Sequence, residues 1–470
     1  MELWREFPIV VATSRRFTLR AGAIALVVLA SSLAAATASA ETLDEAMATA
    51  YANNPTLQAA RAQLRQVDEQ VPQALSNWRP TVDIQGDIGP EWEKDKIRGA
   101  NDRTDSRVPK SASLSVTQPI YRGGRTVAQR DEAENLVSAG RAQLANVEQQ
   151  ILLQAVTAYV DVLRDMRVLE LTKNNEQVIG EQLKATRERF DVGEVTKTDV
   201  SQAESRLARA VADRIQAQGN LTSSRAVYRQ VIGMAPGKLE VPDLPGGLPS
   251  GEEETITLSE NAPTVNEAVF VERASRDGTD VVFGELLPTI SLIGQAGVDD
   301  EVNSERLTSG TATIFAQVVI PLYQAGGVES RVRESKQLTS QRRQELDQAR
   351  RQATEDATTA WQALETALAQ IESFKAEVEA TQVALNGVQQ EQEVGLRTVI
   401  DVLDQQQEVL NAQVSLVVAR RDSIVAAYQT LAAVGKLTAA DLQLPVDRYD
   451  PEKHYREVRD KWFGLNASGQ

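Results

Sequence analysis

Apolar and polar positions alternate strictly in four short stretches of this chain. Thr81-Val82-Asp83-Ile84-Gln85-Gly86-Asp87-Ile88 reads as one strand, and Ser111 to Ile120 repeats the pattern with Leu114, Val116 and Ile120. Thr289 to Val298 and Thr311 to Ile320 form a second pair. Period two with turn residues at both ends predicts strands. The segments between partners, Glu91 to Arg107 and Asp299 to Arg306, are densely charged and read as hairpin loops. Each pair is preceded by a helix-compatible stretch, Leu43 to Ser76 or Val265 to Glu285, which Pro55 or Pro263 should kink or restart. Each pair is followed by roughly 65 proline-free residues, to Gly193 or Gly395, and then by a return helix to about Gly233 or Gly435. A helix of that length rises about 100 Å.

The whole pattern is written twice. Asn53, Pro55, Thr56 and Pro80 recur 208 positions on, as Asn261, Pro263, Thr264 and Pro288. Pro119, Tyr121 and Gly124 recur 202 positions on, as Pro321, Tyr323 and Gly326. Val192, Gly193, Thr196, Asp199 and Val200 do the same, as Val394, Gly395, Thr398, Asp401 and Val402. The single six-residue change of offset falls in the first hairpin. An insertion inside a packed helix turns its apolar face by about 100° per residue. Fixed spacing over such distances therefore implies long helices held in register. The predicted organisation is repeat 1 over 41–235, a Gly- and Pro-rich linker over 236–262, repeat 2 over 263–440, and a C-terminal tail over 441–470 without an assigned fold. The strand hairpins occupy 81–120 and 289–323. Gly124 and Gly326 supply the strand-to-helix turns; Gly193 and Gly395 supply the far turns of the long helices.

Residues 1–40 read as a removable leader. Arg15, Arg16 and Arg20 form a basic head, Ala21 to Ala30 an apolar run too short to span a bilayer, and Ala38-Ser39-Ala40 a small-residue cleavage site. The full chain has 50 Lys+Arg, 66 Asp+Glu and a net charge of −16. The leader is itself basic, so the exported part is more acidic still. That balance argues against nucleic acid as a partner. There is no cysteine and a single histidine, His454, read as a polar surface residue. Thiolate sites, His-paired nucleophiles and the common zinc sets have no material. The glycine clusters lack a dinucleotide or P-loop signature. No cofactor and no catalytic constellation is expected.

Four amphipathic strands raise a problem of edges. In water they invite aggregation; in hydrocarbon each unpaired backbone group costs several kcal/mol. Closure with strands from further copies of the chain into an even-numbered barrel satisfies both. Trp78, Trp92, Tyr121, Phe315 and Tyr323 are expected near strand ends, where interfacial aromatics belong.

Leader, duplication, paired hairpins ending in Pro-x-Tyr-x-x-Gly and long helices ending in Val-Gly together resemble the TolC family of outer-membrane channel-tunnels. The most specific motif is Val394-Gly395-Leu396-Arg397-Thr398-Val399-Ile400-Asp401-Val402-Leu403-Asp404, with a weaker copy at Val192 to Val200. The resemblance implies an α+β membrane protein: a long antiparallel α-helical barrel, plus four β-strands per chain contributing to a trimeric twelve-stranded transmembrane β-barrel. It also implies a periplasmic adaptor and an inner-membrane transporter, ABC-type or proton-driven, as partners, and contact with outer-membrane lipid. The implied function is a passive exit conduit for type I protein secretion, small-molecule efflux or both, in the outer membrane of a Gram-negative cell.

In that family the Val-Gly turns pinch the periplasmic end of the tunnel. By this resemblance Asp401 and Asp404 form an acidic constriction, and Arg397 latches the second turn to Thr198 and Asp199 of the first. The i, i+3 spacing of Asp401 and Asp404 places both on one helix face. Two departures stand out. Gln392 occupies the place of a tyrosine in the family's best-known member, and Gln202 stands where the first repeat would carry a counterpart of Asp404. Thr196-x-x-Asp199 and Thr398-x-x-Asp401 equally fit helix capping, a reading that leaves Asp404 unexplained. The alternative to a channel is a soluble periplasmic coiled-coil adaptor or scaffold.

Overall fold

The computed structural model describes residues 41–95, 103–302 and 307–466. The predicted leader and the tips of both charged hairpins lie outside the described residues. The chain opens with α1 (Leu43–Asn53), α2 (Pro55–Asp68) and α3 (Gln70–Ser76), restarting at Pro55 as expected. Thr42 and Glu45 form a reciprocal capping box at the start of α1. Asn54 caps α2, whose first residue is Pro55, where a missing N–H costs nothing. A second break falls at Glu69, three residues before Pro72, which cannot donate to Asp68 O and so restarts the helix as Pro55 does.

Next come β1 (Thr81–Ile88), β2 (Glu91–Asp95), β3 (Arg103–Arg107) and β4 (Lys110–Arg122). The stretch Glu91 to Arg107, read as a loop, is largely a ribbon: β2 and β3 pair antiparallel, with Arg107 bridging Glu91 and Glu93 at 3.1 and 2.9 Å. Charged side chains hid this ribbon, because its pairing rests on cross-strand ion pairs instead of an apolar face. Then follow α4 (Arg125–Asp191), α5 (Lys197–Ile232), α6 (Glu252–Ser259), α7 (Pro263–Phe283), β5 (Thr289–Asp300), β6 (Thr308–Val319), α8 (Gly327–Glu393), α9 (Val399–Ala433) and α10 (Lys453–Val458). The two long helices have 67 residues each and begin and end 202 positions apart. The register predicted from the duplication is the register of the helices. In addition α6, inside the stretch read as linker, falls on residues 44–51 of α1 at the 208-position offset and packs on α8, where Gln362 donates to Glu252 at 3.0 Å. The second copy thus begins with α6, before Pro263.

Strands β1, β4, β5 and β6 form one antiparallel sheet in that order. Pro119, which has no N–H to give, coincides with a register shift between β4 and β5. Among the described residues the sheet is open: β1 pairs only with β4, and β6 only with β5. Val82, Ile84, Ile314 and Val318 are exposed along these outer strands. Of the expected interfacial aromatics, Trp78, Tyr121 and Tyr323 stand at strand ends, whereas Trp92 lies in the β2–β3 ribbon and Phe315 is paired with Ile293 inside β6. Among the described residues, no helix is long and apolar enough to cross a membrane.

Beneath the sheet, α4 packs on α5, α7 and α9, and α8 packs on α9 and α7. The main core joins α1, α4, α5 and α9 through Met47, Leu152, Tyr159, Tyr228 and Leu431. Glu41 closes this region in a parallel bridge to Leu239: its N–H donates to Lys238 O at 2.7 Å, and the Tyr228 hydroxyl donates to its carboxylate at 2.5 Å. The Tyr159 hydroxyl donates to Glu41 O at 2.6 Å, and burial pushes its pKa up to about 12.

Gly123 and Gly284 form the tightest strand-to-helix passage. A Cβ on Gly123, at φ +64°, would lie 2.2 Å from Gly284 O; one on Gly284 would meet Gly123 O at 2.6 Å. The equivalent of Gly123 in the second copy is Ala325, also at positive φ (54°) and exposed. Gly123→Ala is expected to cost about 1–3 kcal/mol and lower the thermal unfolding midpoint, whereas an unchanged midpoint would contradict the close approach.

The tail, unassigned from sequence, folds back onto the first repeat. His454 is buried, not superficial, and its Nδ1 lies 3.0 Å from Oδ2 of fully buried Asp68. Burial raises the Asp68 carboxyl above its ordinary 3.8, against the opposing pull of the His454 hydrogen bond. A raised carboxylate favours the protonated folded state. Its stabilising contribution is therefore complete below 3.8 and is lost as pH rises through the folded value. Asp68→Asn should flatten this part of the profile. The expected result is an unfolding midpoint that depends on pH in the parent more than in the variant across the acidic range, with the parent losing ground as pH rises.

Candidate gate at the helix tips

The far ends of the helical hairpins are built alike. In the first, α4 ends at Asp191, Gly193 turns at φ +81°, Gly193 N–H donates to Phe190 O at 2.9 Å and Glu194 N–H to Arg189 O at 2.9 Å. In the second, Gly395 turns at φ +80°, with matching bonds to Gln392 O at 3.1 Å and Glu391 O at 2.9 Å. These crossed bonds satisfy the last carbonyls of each helix, and the left-handed residue is a glycine because a Cβ there is strained. The other glycine pair, Gly124 and Gly326, stands in the same left-handed conformation at the N-termini of α4 and α8.

Each return helix starts with a complete capping box. The Thr196 N–H and hydroxyl both reach Asp199 Oδ2 at 2.8 Å, while Asp199 N–H donates to Thr196 Oγ1 at 3.3 Å. Thr398 and Asp401 repeat it at 2.9, 2.8 and 3.3 Å. Hydrogen bonds from Thr398 hold the Asp401 carboxyl below the usual carboxylate range, with nearby Arg397 adding to the effect. Within one chain Asp401 therefore resists proton uptake and is a helix cap. Thr198 lies in the first turn of α5, one residue before Asp199.

Asp404 makes a different contact. It accepts an ion-paired hydrogen bond from Arg206 of α5, which joins the two return helices across the repeats. Beside it, Ile179, Leu183, Ala203, Ala210, Val399 and Leu403 bury one apolar cluster that knits α4, α5 and α9 together. Arg397 does not reach Thr198 or Asp199 in the single chain; its Nε donates to Glu391 of its own turn at 2.8 Å. Sequence reasoning missed Arg206 and Glu391. Arg206 follows the Thr196 cap by ten residues and Asp404 follows the Thr398 cap by six. Since both helices run away from the tip, a stagger of one turn would have paired them. Val192, Val394 and Leu396 are exposed at the two turns. Among the described residues, no group of three or more His, Asp or Glu side chains gathers as metal ligands.

Comparison with known proteins agrees with this architecture. The profile of the family described as "Outer membrane efflux protein" matches residues 29–234 and 257–436, once for each repeat. The chain is 35% identical over 429 residues to the outer membrane efflux protein BepC of Brucella suis, covering 91% of this chain and 92% of that protein. It is 27% identical to the outer membrane protein TolC of Vibrio cholerae, covering 86% and 92%. Its fold matches the solved Campylobacter jejuni CmeC outer membrane channel with a TM-score of 0.77 at 17% identity, over 89% of each chain. A soluble coiled-coil scaffold is thereby set aside. Open amphipathic sheet, duplicated long hairpins and Val-Gly tips are the features of one group of proteins, and this chain belongs to it: the outer membrane efflux protein family of TolC-type channels, in the Gram-negative outer membrane.

Proposed function

We propose that three copies of this chain close their sheets edge to edge into one twelve-stranded barrel and extend their helices as a periplasmic tunnel gated at its tips. The observation that carries this reading is the pair of unpaired edges at β1 and β6, in a sheet exposing Val82, Ile84, Ile314 and Val318. Hydrocarbon tolerates such a sheet only when every edge is paired. The protein performs no chemistry and needs no cofactor; the driving energy comes from an inner-membrane transporter, ABC-type or proton-driven. A periplasmic adaptor couples the two. The exposed Val192, Val394 and Leu396 offer it an apolar seat at the tips. The efflux description of BepC favours small toxic compounds as cargo, and a conduit of this kind also passes secreted polypeptides.

In the closed state, three copies bring Asp401 and Asp404 of each chain around one axis. In the single chain the Thr398 hydrogen bonds favour the charged Asp401; crowded with the like charges of the other copies, the ring binds cations or takes up protons. The Arg206–Asp404 pair holds α9 to α5, and Arg397, with Thr198 and Asp199 on the neighbouring turn, contributes to the latch. Opening separates the return helices. Replacing both Asp401 and Asp404 by Ala should weaken the block of single-channel current by divalent or trivalent cations in planar bilayers; equal block in parent and variant removes the gate from these residues.

A half-exposed ion pair contributes about 0.2–1 kcal/mol, so Arg206→Ala should raise resting open probability by a factor of about 1.4 to 5. Arg397→Ser should act in the same direction. Parental conductance in the Arg206 variant would show that the α5–α9 contact plays no part in closure.

A further inference from the structure

The last described residues place a cluster of large apolar side chains at the foot of the sheet. Trp462 is 64% exposed, Phe463 90% exposed, and Leu465 fully exposed. Their height is fixed by two sets of contacts. Arg459 pairs with Glu134 of α4 at 3.1 Å. Arg79, two residues before β1 begins, donates from Nη1 to Lys461 O at 2.6 Å and lays its guanidinium 4.9 Å from the Trp462 ring centre. Gly464, at φ +117°, turns the chain, and Lys461 Nζ closes that turn on Asn466 O at 2.9 Å. The apolar side chains are thus presented on a small, internally bonded knuckle.

The knuckle lies beside the approach to β1, where further apolar side chains are exposed. Trp78, also exposed, precedes β1, and its carbonyl accepts from Gln118 of β4 at 2.8 Å. Tyr121, Leu322 and Tyr323 are exposed at the same ends of β4 and β6. Aromatic and aliphatic side chains flanked by Lys and Arg form the pattern that sits in the headgroup layer. We propose that Trp462, Phe463 and Leu465 insert into the phospholipid interface on the periplasmic side of the outer membrane. They would form a C-terminal foot continuous with Trp78, and the occupant of the patch is lipid. A foot of this kind needs no acyl chain, and the chain has no cysteine to carry one.

The absence of cysteine also makes the test direct. Phe463→Cys and, as a control lower on the tail, Lys453→Cys are each labelled with an environment-sensitive fluorophore and reconstituted in phospholipid bilayers. Only preparations with parental single-channel conductance are read, so failure of the foot is distinguishable from failure of the channel. The expected result is blue-shifted emission at position 463, strong quenching by lipids carrying a nitroxide near the headgroup, weaker quenching by water-soluble iodide, and the reverse at position 453. Iodide quenching at 463 equal to that at 453 overturns the proposal. So does an absence of lipid quenching at 463 together with crosslinking of that cysteine to a second protomer, which would assign the patch to a subunit interface. The triple variant Trp462→Ser, Phe463→Ser, Leu465→Ser gives an independent reading. It should retain conductance yet lose resistance of the tail to protease in bilayers; parental resistance counts against the foot.

Discussion

Every other arrangement in this protein follows from the fact that a β-sheet bound for hydrocarbon has no use for an edge. The four strands of one chain satisfy their inner ladders and leave β1 and β6 with unpaired backbone groups. In water such groups find solvent; in lipid each costs several kcal/mol. Closure must therefore come from outside the chain, and it fixes how the helices below can stand. Two hairpins per chain hang from two pairs of strands, so each hairpin must start at the same height. Helices of 67 residues, offset by 202 positions, meet that condition. The one tolerated difference in length lies in the first hairpin loop, above the sheet, where it disturbs no register.

The large features were legible in the sequence because they are periodic. Alternation over eight or more residues marked the four sheet strands, and duplicated spacing marked the long helices and their glycine turns. What escaped had no period. The β2–β3 ribbon is held by Arg107 against Glu91 and Glu93 and reads as a charged loop. The break at Glu69 is announced by Pro72, whose ring and missing N–H exclude a helical bond to Asp68 O, a signal passed over when Pro55 alone is taken as the restart. The tail folds through contacts with residues nearly four hundred positions away, such as His454 with Asp68, and no local pattern encodes those. At the tips, the capping boxes were readable because they are local. Arg206 was not, because its partner Asp404 belongs to the other repeat and only the stagger of α5 and α9 brings them together.

The duplication is also where the two copies divide their tasks. Both retain the Thr-x-x-Asp cap, which any helix start can use. Only the second carries Asp404 one turn further on, and only the first carries Arg206 to meet it. The crowded Gly123 of the first copy likewise corresponds to an exposed Ala325 in the second. Equal backbones thus carry unequal side-chain chemistry, and the unequal pair sits at the seam between the repeats.

The parallel bridge between Glu41 and Leu239 sets an order of events during biogenesis. Glu41 precedes in the chain every residue of the groove that receives it, which is made of Tyr159, Tyr228 and Lys238. The first strand of contact therefore stays unsatisfied until nearly two hundred further residues have been delivered. Loop-closure entropy grows only slowly with length, so the delay costs little free energy but much time. The bridge therefore ties the start of the described fold to the end of α5, and it can close only once the whole first repeat is present.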